Sequence, residues 1–311
     1  MPSGRGDLVL IGSPTLAFLE PRFARNYTVG RLWEANAAEL ARARVLVAGA
    51  PVPVSAATID ALPKLGLIAC LTAGYESVDI AYAARRGVAV SHSPEARTQD
   101  VADFALALLL AAVRKVHEGD RLLRASAWRD GPPLFSRSLA GLKIGIVGLG
   151  RIGSAIAARC QALGMRVFWW GPSAKPDAPW PRRTRLLDLA RGSDALILAA
   201  RAENGASPLI RARELEALGP GGVLVNVARG GLLDEGALIE ALRTGKVGGA
   251  ALDVFDPEPT NSEHWFGIPN IVLTPHIAGA TPATVEAMVK LTMRNIDLFL
   301  VGQKLRTPVS D

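Results

Sequence analysis

A chain of 311 residues is long for one small domain and suits about two, and at 49% hydrophobic residues it can fill two cores. Its net charge of +6 comes mostly from arginines spread along the chain, with no basic block interleaved with aromatics; that pattern argues against nucleic acid and for local positive charge around an anionic cofactor and an acidic substrate. No run reaches the roughly 18 apolar residues of a membrane span and no secretory core follows Met1, while Cys70 and Cys160 sit in apolar contexts that suit reduced thiols in a cytoplasm and no Cys/His spacing resembles a metal site.

Between Asp7 and Ser93, apolar runs at LVLIG, 44–50, 65–74 and 87–93 alternate with helix-forming stretches at 35–42, 56–62 and 78–86. Such βα alternation predicts a parallel sheet wrapped by helices. Pro94 breaks the pattern, and TQDVADFALALLLAAVRKVHEG predicts one long buried helix over 98–119, followed by a second to Ala127 and a Gly-Pro-Pro loop at 131–133. Further strands are predicted at 144–147, 166–170, 195–200, 221–227, 247–254 and 270–276, which makes a second, doubly wound sheet. A last helix, with Pro282 in its first turn, runs to about Val301 and is long enough to return to the first domain. The expected organisation is therefore a discontinuous domain, 1–97 and 282–311, around a dinucleotide-binding domain at 98–281.

The stretch that names a ligand class is GLKIGIVGLGRIGSAIAARCQALG, at 141–164. A strand leads into Gly148, Gly150 and Gly153 in G-x-G-x-x-G spacing, and a helix follows. The first glycine permits the tight turn, the second lets the backbone approach a pyrophosphate, and the third lets helix pack on strand. Helix N-terminal amides then face the anion. Three later strands end in polar residues where a ligand crevice is expected: Arg229, then Asp253 with Glu258 beyond it, then His276. Each is also readable singly as a turn, loop or capping residue. Together, a cation that fixes a carboxylate and polarises a carbonyl, an imidazolium that gives a proton and a carboxylate that orients it are what reduction of a 2-keto acid requires.

GLKIGIVGLGRIG, NVARGGLLDEGALIEAL, GAALDVFDPEP and NIVLTPHIAGAT, in that order, resemble the signatures of the D-isomer-specific 2-hydroxyacid dehydrogenases. The resemblance extends over nearly the whole chain, including AGYESVDI and TQDVADFALALLLA. It implies an α/β fold of two doubly wound parallel-sheet domains, a Rossmann-type dinucleotide domain and a smaller flavodoxin-like substrate domain. It implies Arg229 as the substrate-binding and polarising residue, His276 as acid/base and Glu258 as its partner. Backbone amides of Ala73 and Gly74 would hold the substrate carboxylate. Asp253 would bond the nicotinamide carboxamide, Arg151 and Ile152 would lie at the pyrophosphate, Val227 beside the ring and Thr98 near the cofactor. A homodimer is implied as well.

Two departures from the family pattern bear on the cofactor. Relatives that prefer NAD carry an acid at the end of the second strand to grip the ribose 2′-hydroxyl, but VFWWGPSAK has Gly171 there, with Ser173 and Lys175 after it. NADP is thus expected, with NAD as the alternative, unless Lys175, Arg182 and Arg183 are only solvated charges. Ala199, Ala200 and Arg201 stand where many relatives have a His-x-Pro loop beneath the adenine. The pattern over 170–205 is most similar to the glyoxylate/hydroxypyruvate reductase branch. A reductase of a larger keto acid, such as 2-ketogluconate or an aryl pyruvate, is one alternative, with residues 47–52, 71–75 and Trp265 expected to shape the choice; a cofactor-sensing protein without turnover is another.

Overall fold

The computed structural model describes residues 7–49, 52–94, 97–129, 131, 133–201 and 207–309. It divides into two units, Met1–Arg97 with Thr281–Asp311, and Thr98–Ala280. Of the loops singled out above, residues 50, 51, 132 and 202–206 lie outside the described residues.

In the first unit, β1 (Leu8–Ile11), β2 (Thr28–Arg31), β3 (Ala43–Ala48), β4 (Leu67–Cys70) and β5 (Ala89–Ser91) form a parallel sheet in the order β2-β1-β3-β4-β5, the flavodoxin-like order. Leu10 pairs with Leu46 and Leu46 with Ile68. These central strands are buried on both faces, which is why they read as unbroken apolar runs. The edge strand β2 has no such run: TVGR is half-exposed, so apolar patterning did not reveal it. Helix Pro282–Leu300, capped by the Thr281 hydroxyl on the Thr284 amide, lays Met288, Val289 and Ile296 on the face formed by Val9, Ile11 and Leu67. After it, Pro308 bridges Ser91 of β5 in the antiparallel sense.

In the second unit, β6 (Lys143–Val147), β7 (Arg166–Trp170), β8 (Ala195–Leu198), β9 (Val223–Asn226), β10 (Gly249–Leu252) and β11 (Ile271–Leu273) are parallel in the order β11-β10-β9-β8-β6-β7. Beyond β7 a single parallel bridge joins Trp169 to Arg182, closed by Trp169 N–H on the Pro181 carbonyl and Arg183 N–H on the Trp169 carbonyl. That bridge stands where a Rossmann sheet carries its third strand. Connections leave β6 and β8 in opposite directions along the sheet, so the crevice at their carboxyl ends is the topological switch point.

The long helix predicted over 98–119 is two helices, Thr98–Val113 and Val116–Arg124, parted at Lys115, whose φ is +55°. The cause lies in the core. Val101, Ala105, Leu108 and Leu109 pack among Ile144, Ile146, Ile156 and Ala157, but that apolar face ends at Val113. The second helix buries no residue, so nothing holds it in line with the first. Both cysteines are buried and free, one in each unit, and burial pushes each thiol up to about 12. Among the described residues no helix is long and apolar enough to cross a membrane.

Candidate active site

At the β6–β8 switch point the three glycines of the fingerprint do three different things. Gly148 has φ +94°, and a Cβ there would sit 2.5 Å from the Cα of Ala200. At Gly153 a Cβ would meet the Gly148 carbonyl oxygen at 2.0 Å, so this glycine lets helix Arg151–Ala162 close on the turn. A Cβ on Gly150 would meet nothing within 4 Å. That open space, beside the first amides of a twelve-residue helix, fits a pyrophosphate. Arg151 is exposed and Ile152 half-buried at the start of this helix, while Ala199 and Ala200 line the far side of the turn and Val227 is buried just past β9. Thr98 opens the helix Thr98–Val113.

Around Gly171, the Lys175 ammonium donates to the Leu149 carbonyl inside the glycine turn, and Ser173 is exposed. Arg182, for which the sequence left a solvated charge as the alternative, donates from Nη2 to the carbonyls of Gly171 (2.8 Å) and Pro172 (3.2 Å). It fixes the loop at the place where an acid would stand in an NAD-preferring chain. Arg201 is exposed at the edge of the segment outside the described residues.

Three strand ends bring the charged residues together. At the end of β9, Asn226 is wholly buried, donates from Nδ2 to the Arg229 carbonyl (3.0 Å) and accepts the Ala228 amide (3.0 Å). This ties a tight loop that holds Arg229 half-buried, with Nη1 on the Ala228 carbonyl at 2.7 Å. Gly230 then meets the loop after β10: a Cβ on it would lie 2.0 Å from the Phe255 carbonyl carbon, so only glycine lets the two loops approach this closely. The Phe255 amide donates to Glu258 Oε1 (3.0 Å) and the Asp256 amide to Glu235 Oε1 (2.9 Å). Trp265, expected to shape the substrate choice, is buried and stands edge-on against Phe255 of this loop.

His276 follows β11 with φ +53°, in the left-handed region that few residues other than glycine occupy. Asp253 braces that turn. The sequence placed Asp253 at the nicotinamide carboxamide; in the structure it is wholly buried, and Oδ1 accepts the Thr274 hydroxyl (2.6 Å) and the Ile277 amide (2.9 Å) while Oδ2 accepts the Ala278 amide (2.9 Å). With its oxygens so engaged, it organises the turn that carries His276. His276 Nδ1 then lies 2.6 Å from Glu258 Oε2.

Burial raises the Glu258 carboxyl, but the His276 hydrogen bond, the Phe255 amide and the charges of His276 and Arg229 outweigh it and hold the group below its ordinary value. A carboxylate can only accept, so Nδ1 of His276 carries the proton of that bond. Nε2 is left as the nitrogen that can give or take one.

In the first unit, the loop after β4 holds Ala73 and Gly74, both half-buried. The Thr72 carbonyl accepts the Ser93 amide (3.0 Å) and the Gly74 carbonyl accepts the Thr72 hydroxyl (2.7 Å). Among the described residues no backbone acceptor meets the amides of Ala73 and Gly74. Near residues 47–52, a cavity of about 180 Å³ opens at the carboxyl ends of β1 and β3 between Gly12, Ser13, Leu32, Ala48, Val52 and Thr58.

The chain is similar to known proteins over most of its length. The family described as D-isomer specific 2-hydroxyacid dehydrogenase, NAD binding domain, matches residues 106–278. A glyoxylate/hydroxypyruvate reductase A of Arabidopsis thaliana is 34% identical over 97% of this chain and 98% of its own. A hydroxyphenylpyruvate reductase of Plectranthus scutellarioides is 35% identical over 97% and 98%. Among solved structures, an NADPH-dependent glyoxylate/hydroxypyruvate reductase of Sinorhizobium meliloti, in complex with NADP and malonate, superposes with a TM-score of 0.89 at 32% identity, covering 98% of this chain and 97% of that one.

Proposed function

The chain belongs to the D-isomer-specific 2-hydroxyacid dehydrogenases, and from that premise we propose that it reduces a small 2-keto acid, glyoxylate or hydroxypyruvate, to the 2-hydroxy acid at the expense of NADPH. The observation that carries the reading is the Glu258–His276 hydrogen bond of 2.6 Å with the Arg229 charge acting on the same carboxylate.

The donor set fits a dinucleotide: an open Gly150 position and helix amides for the pyrophosphate, Arg151 and Ile152 beside them, and Ala199, Ala200 and Val227 flanking the crevice. When bound, the nicotinamide supplies the hydride that the keto carbon receives. Arg229 draws electron density toward the carbonyl oxygen and fixes the carboxylate. His276 gives the Nε2 proton to the oxygen as the C–O double bond becomes single, and Glu258 holds the ring so that Nε2 faces the reacting oxygen. The amides of Ala73 and Gly74 are read as a second hold on the substrate carboxylate. Asp253 braces the His276 turn, and the acceptor capacity left on Oδ2 is read as serving the nicotinamide carboxamide that the resemblance assigns to it.

NADPH is favoured over NADH because no acid stands at Gly171, where a 2′-phosphate would be repelled, and because Lys175 and Arg182 place positive charge on either side of that loop. Introducing Gly171→Asp is expected to move the NADPH/NADH preference on the order of 10-fold toward NADH, since it adds a charged hydrogen-bond partner for the ribose; an unchanged ratio would refute the assignment. A homodimer through the second unit accords with the exposed apolar side chains of Val116, Leu123, Trp128 and Phe135.

A spectrophotometric panel pairing glyoxylate, hydroxypyruvate, pyruvate, phenylpyruvate and 2-ketogluconate with NADPH and NADH tests the whole reading. Fastest turnover of glyoxylate or hydroxypyruvate with NADPH is expected. Preference for phenylpyruvate or 2-ketogluconate would move the substrate assignment to the larger keto acids. Cofactor binding without turnover of any of them would overturn the enzyme reading.

A further inference from the structure

The loop read above as a carboxylate site is set by where its carbonyls go. In a trans peptide the C=O of one residue and the N–H of the next point in opposite directions, and neither Thr72–Ala73 nor Ala73–Gly74 is cis. Ser93 N–H takes the Thr72 carbonyl and so turns the Ala73 amide the other way. The Ala73 carbonyl is taken by a side chain: His92 Nδ1 lies 2.9 Å from it. A carbonyl only accepts, so Nδ1 must carry a hydrogen, and the bond persists whether or not Nε2 is protonated.

His92 is itself firmly mounted. Its N–H donates to the Thr307 carbonyl (3.2 Å), and its own carbonyl accepts the Thr307 hydroxyl (2.6 Å). Thr307 is held in turn by Asn295, 1% exposed on helix Pro282–Leu300, through Nδ2 on the hydroxyl (2.9 Å) and Oδ1 on the Thr307 amide (3.2 Å). The Tyr75 ring stands edge-on to the imidazole at 5.2 Å.

We propose that His92 is a positioning residue for the substrate carboxylate: by holding the Ala73 carbonyl it keeps the Gly74 amide turned outward to the anion. The proposal rests on the reading that Ala73 and Gly74 bind that carboxylate. The action assigned to His92 is on the backbone: it selects which side of one peptide plane faces the ligand.

Initial-rate kinetics with NADPH and the keto acid turned over fastest in the panel, on folded protein checked by thermal melting, decide it. His92→Phe keeps a ring against Tyr75 and loses the donor; about a 10-fold rise in keto-acid KM, with kcat and NADPH KM within about 2-fold, is expected from one lost orienting hydrogen bond. His92→Asn places an amide donor near the position of Nδ1 and should return KM to within about 3-fold of the parent. An unchanged KM in His92→Phe, or equal losses in kcat and NADPH binding, overturns the proposal. Gly74→Pro, which deletes the amide itself, separates the two layers. If it raises KM while His92→Phe does not, only the role of His92 falls; if neither variant changes KM, the carboxylate reading falls and the proposal with it. Should His92→Phe not fold, Thr307→Val removes the hydroxyl that mounts His92, and a raised or unchanged KM decides in the same way.

Discussion

On the proposed reading, each of the two units offers an anionic substrate a different kind of hold. At the strand ends of the second unit the work falls to side chains, Arg229, Glu258 and His276, held by Asn226, by the Phe255 amide and by the turn that Asp253 braces. In the loop after β4 it falls to the main chain, where carbonyls are tied down by Thr72, His92 and Ser93 and, among the described residues, no backbone acceptor meets two amides. A charged side chain attracts an anion over a distance and polarises what it holds, whereas an amide binds only along its own N–H direction. The first arrangement can drive chemistry. The second can only bind, so damage to it should appear in KM and damage to the first in kcat.

The largest way to break that contrast is Gly230→Ala. Its methyl would need to occupy the place of the Phe255 carbonyl, so the Arg229 and Glu258 loops must part, and a displacement near 1 Å costs on the order of 10²-fold in turnover. The neighbouring Gly231→Ala meets only the Asp256 carboxylate at 3.3 Å and should turn over nearly as the parent does. Equal losses in the two variants, measured as kcat, would show that loop contact is not what matters. In the first unit, Thr72→Val removes the hydroxyl that holds the Gly74 carbonyl at 2.7 Å. About a 5-fold rise in keto-acid KM with kcat unchanged is expected, from about 1 kcal/mol for a net hydrogen bond; a fall in kcat instead would erase the distinction.

The smallest effect concerns stability. The Glu258 carboxyl is held below its ordinary value of 4.5, so the stabilisation from its partners is present above that pH and is lost as pH falls through the lowered value. The pair is half-exposed, which screens it. The gap in Tm between the parent and Glu258→Gln should therefore be about 1–2 °C at neutral pH and close as the pH falls through that lowered value. A gap that widens toward acid would reverse the assigned sign.

The same contrast explains what could be read from the sequence. Arg229, Glu258 and His276 announce themselves because charged residues after apolar strands are conspicuous, and the fingerprint glycines because a strand precedes them and a helix follows. Gly230 does not: its requirement comes from Phe255, 25 positions on, and appears only when the two loops are in contact. Asp253 was legible as a polar strand end, but its partners, the Thr274 hydroxyl and the amides of Ile277 and Ala278, are invisible in one dimension, and only they reveal that it braces the turn carrying His276. Asn226 and His92 carry the same lesson, since each acts on a backbone carbonyl. In the fold, the buried central strands were plain from composition. The half-exposed β2 was not, and the break at Lys115 depends on where the core ends rather than on any helix-breaking residue.

The central claim is that Glu258 and His276 act as one proton-donating unit, and a double-mutant cycle in single-turnover NADPH oxidation by the preferred keto acid measures it directly. His276→Ala should slow the step on the order of 10²–10⁴-fold. Glu258→Gln should cost about 10-fold or more in the parent and less than about 3-fold once His276 is gone. If Glu258→Gln costs the same factor in both backgrounds, the two residues work independently and the account is contradicted.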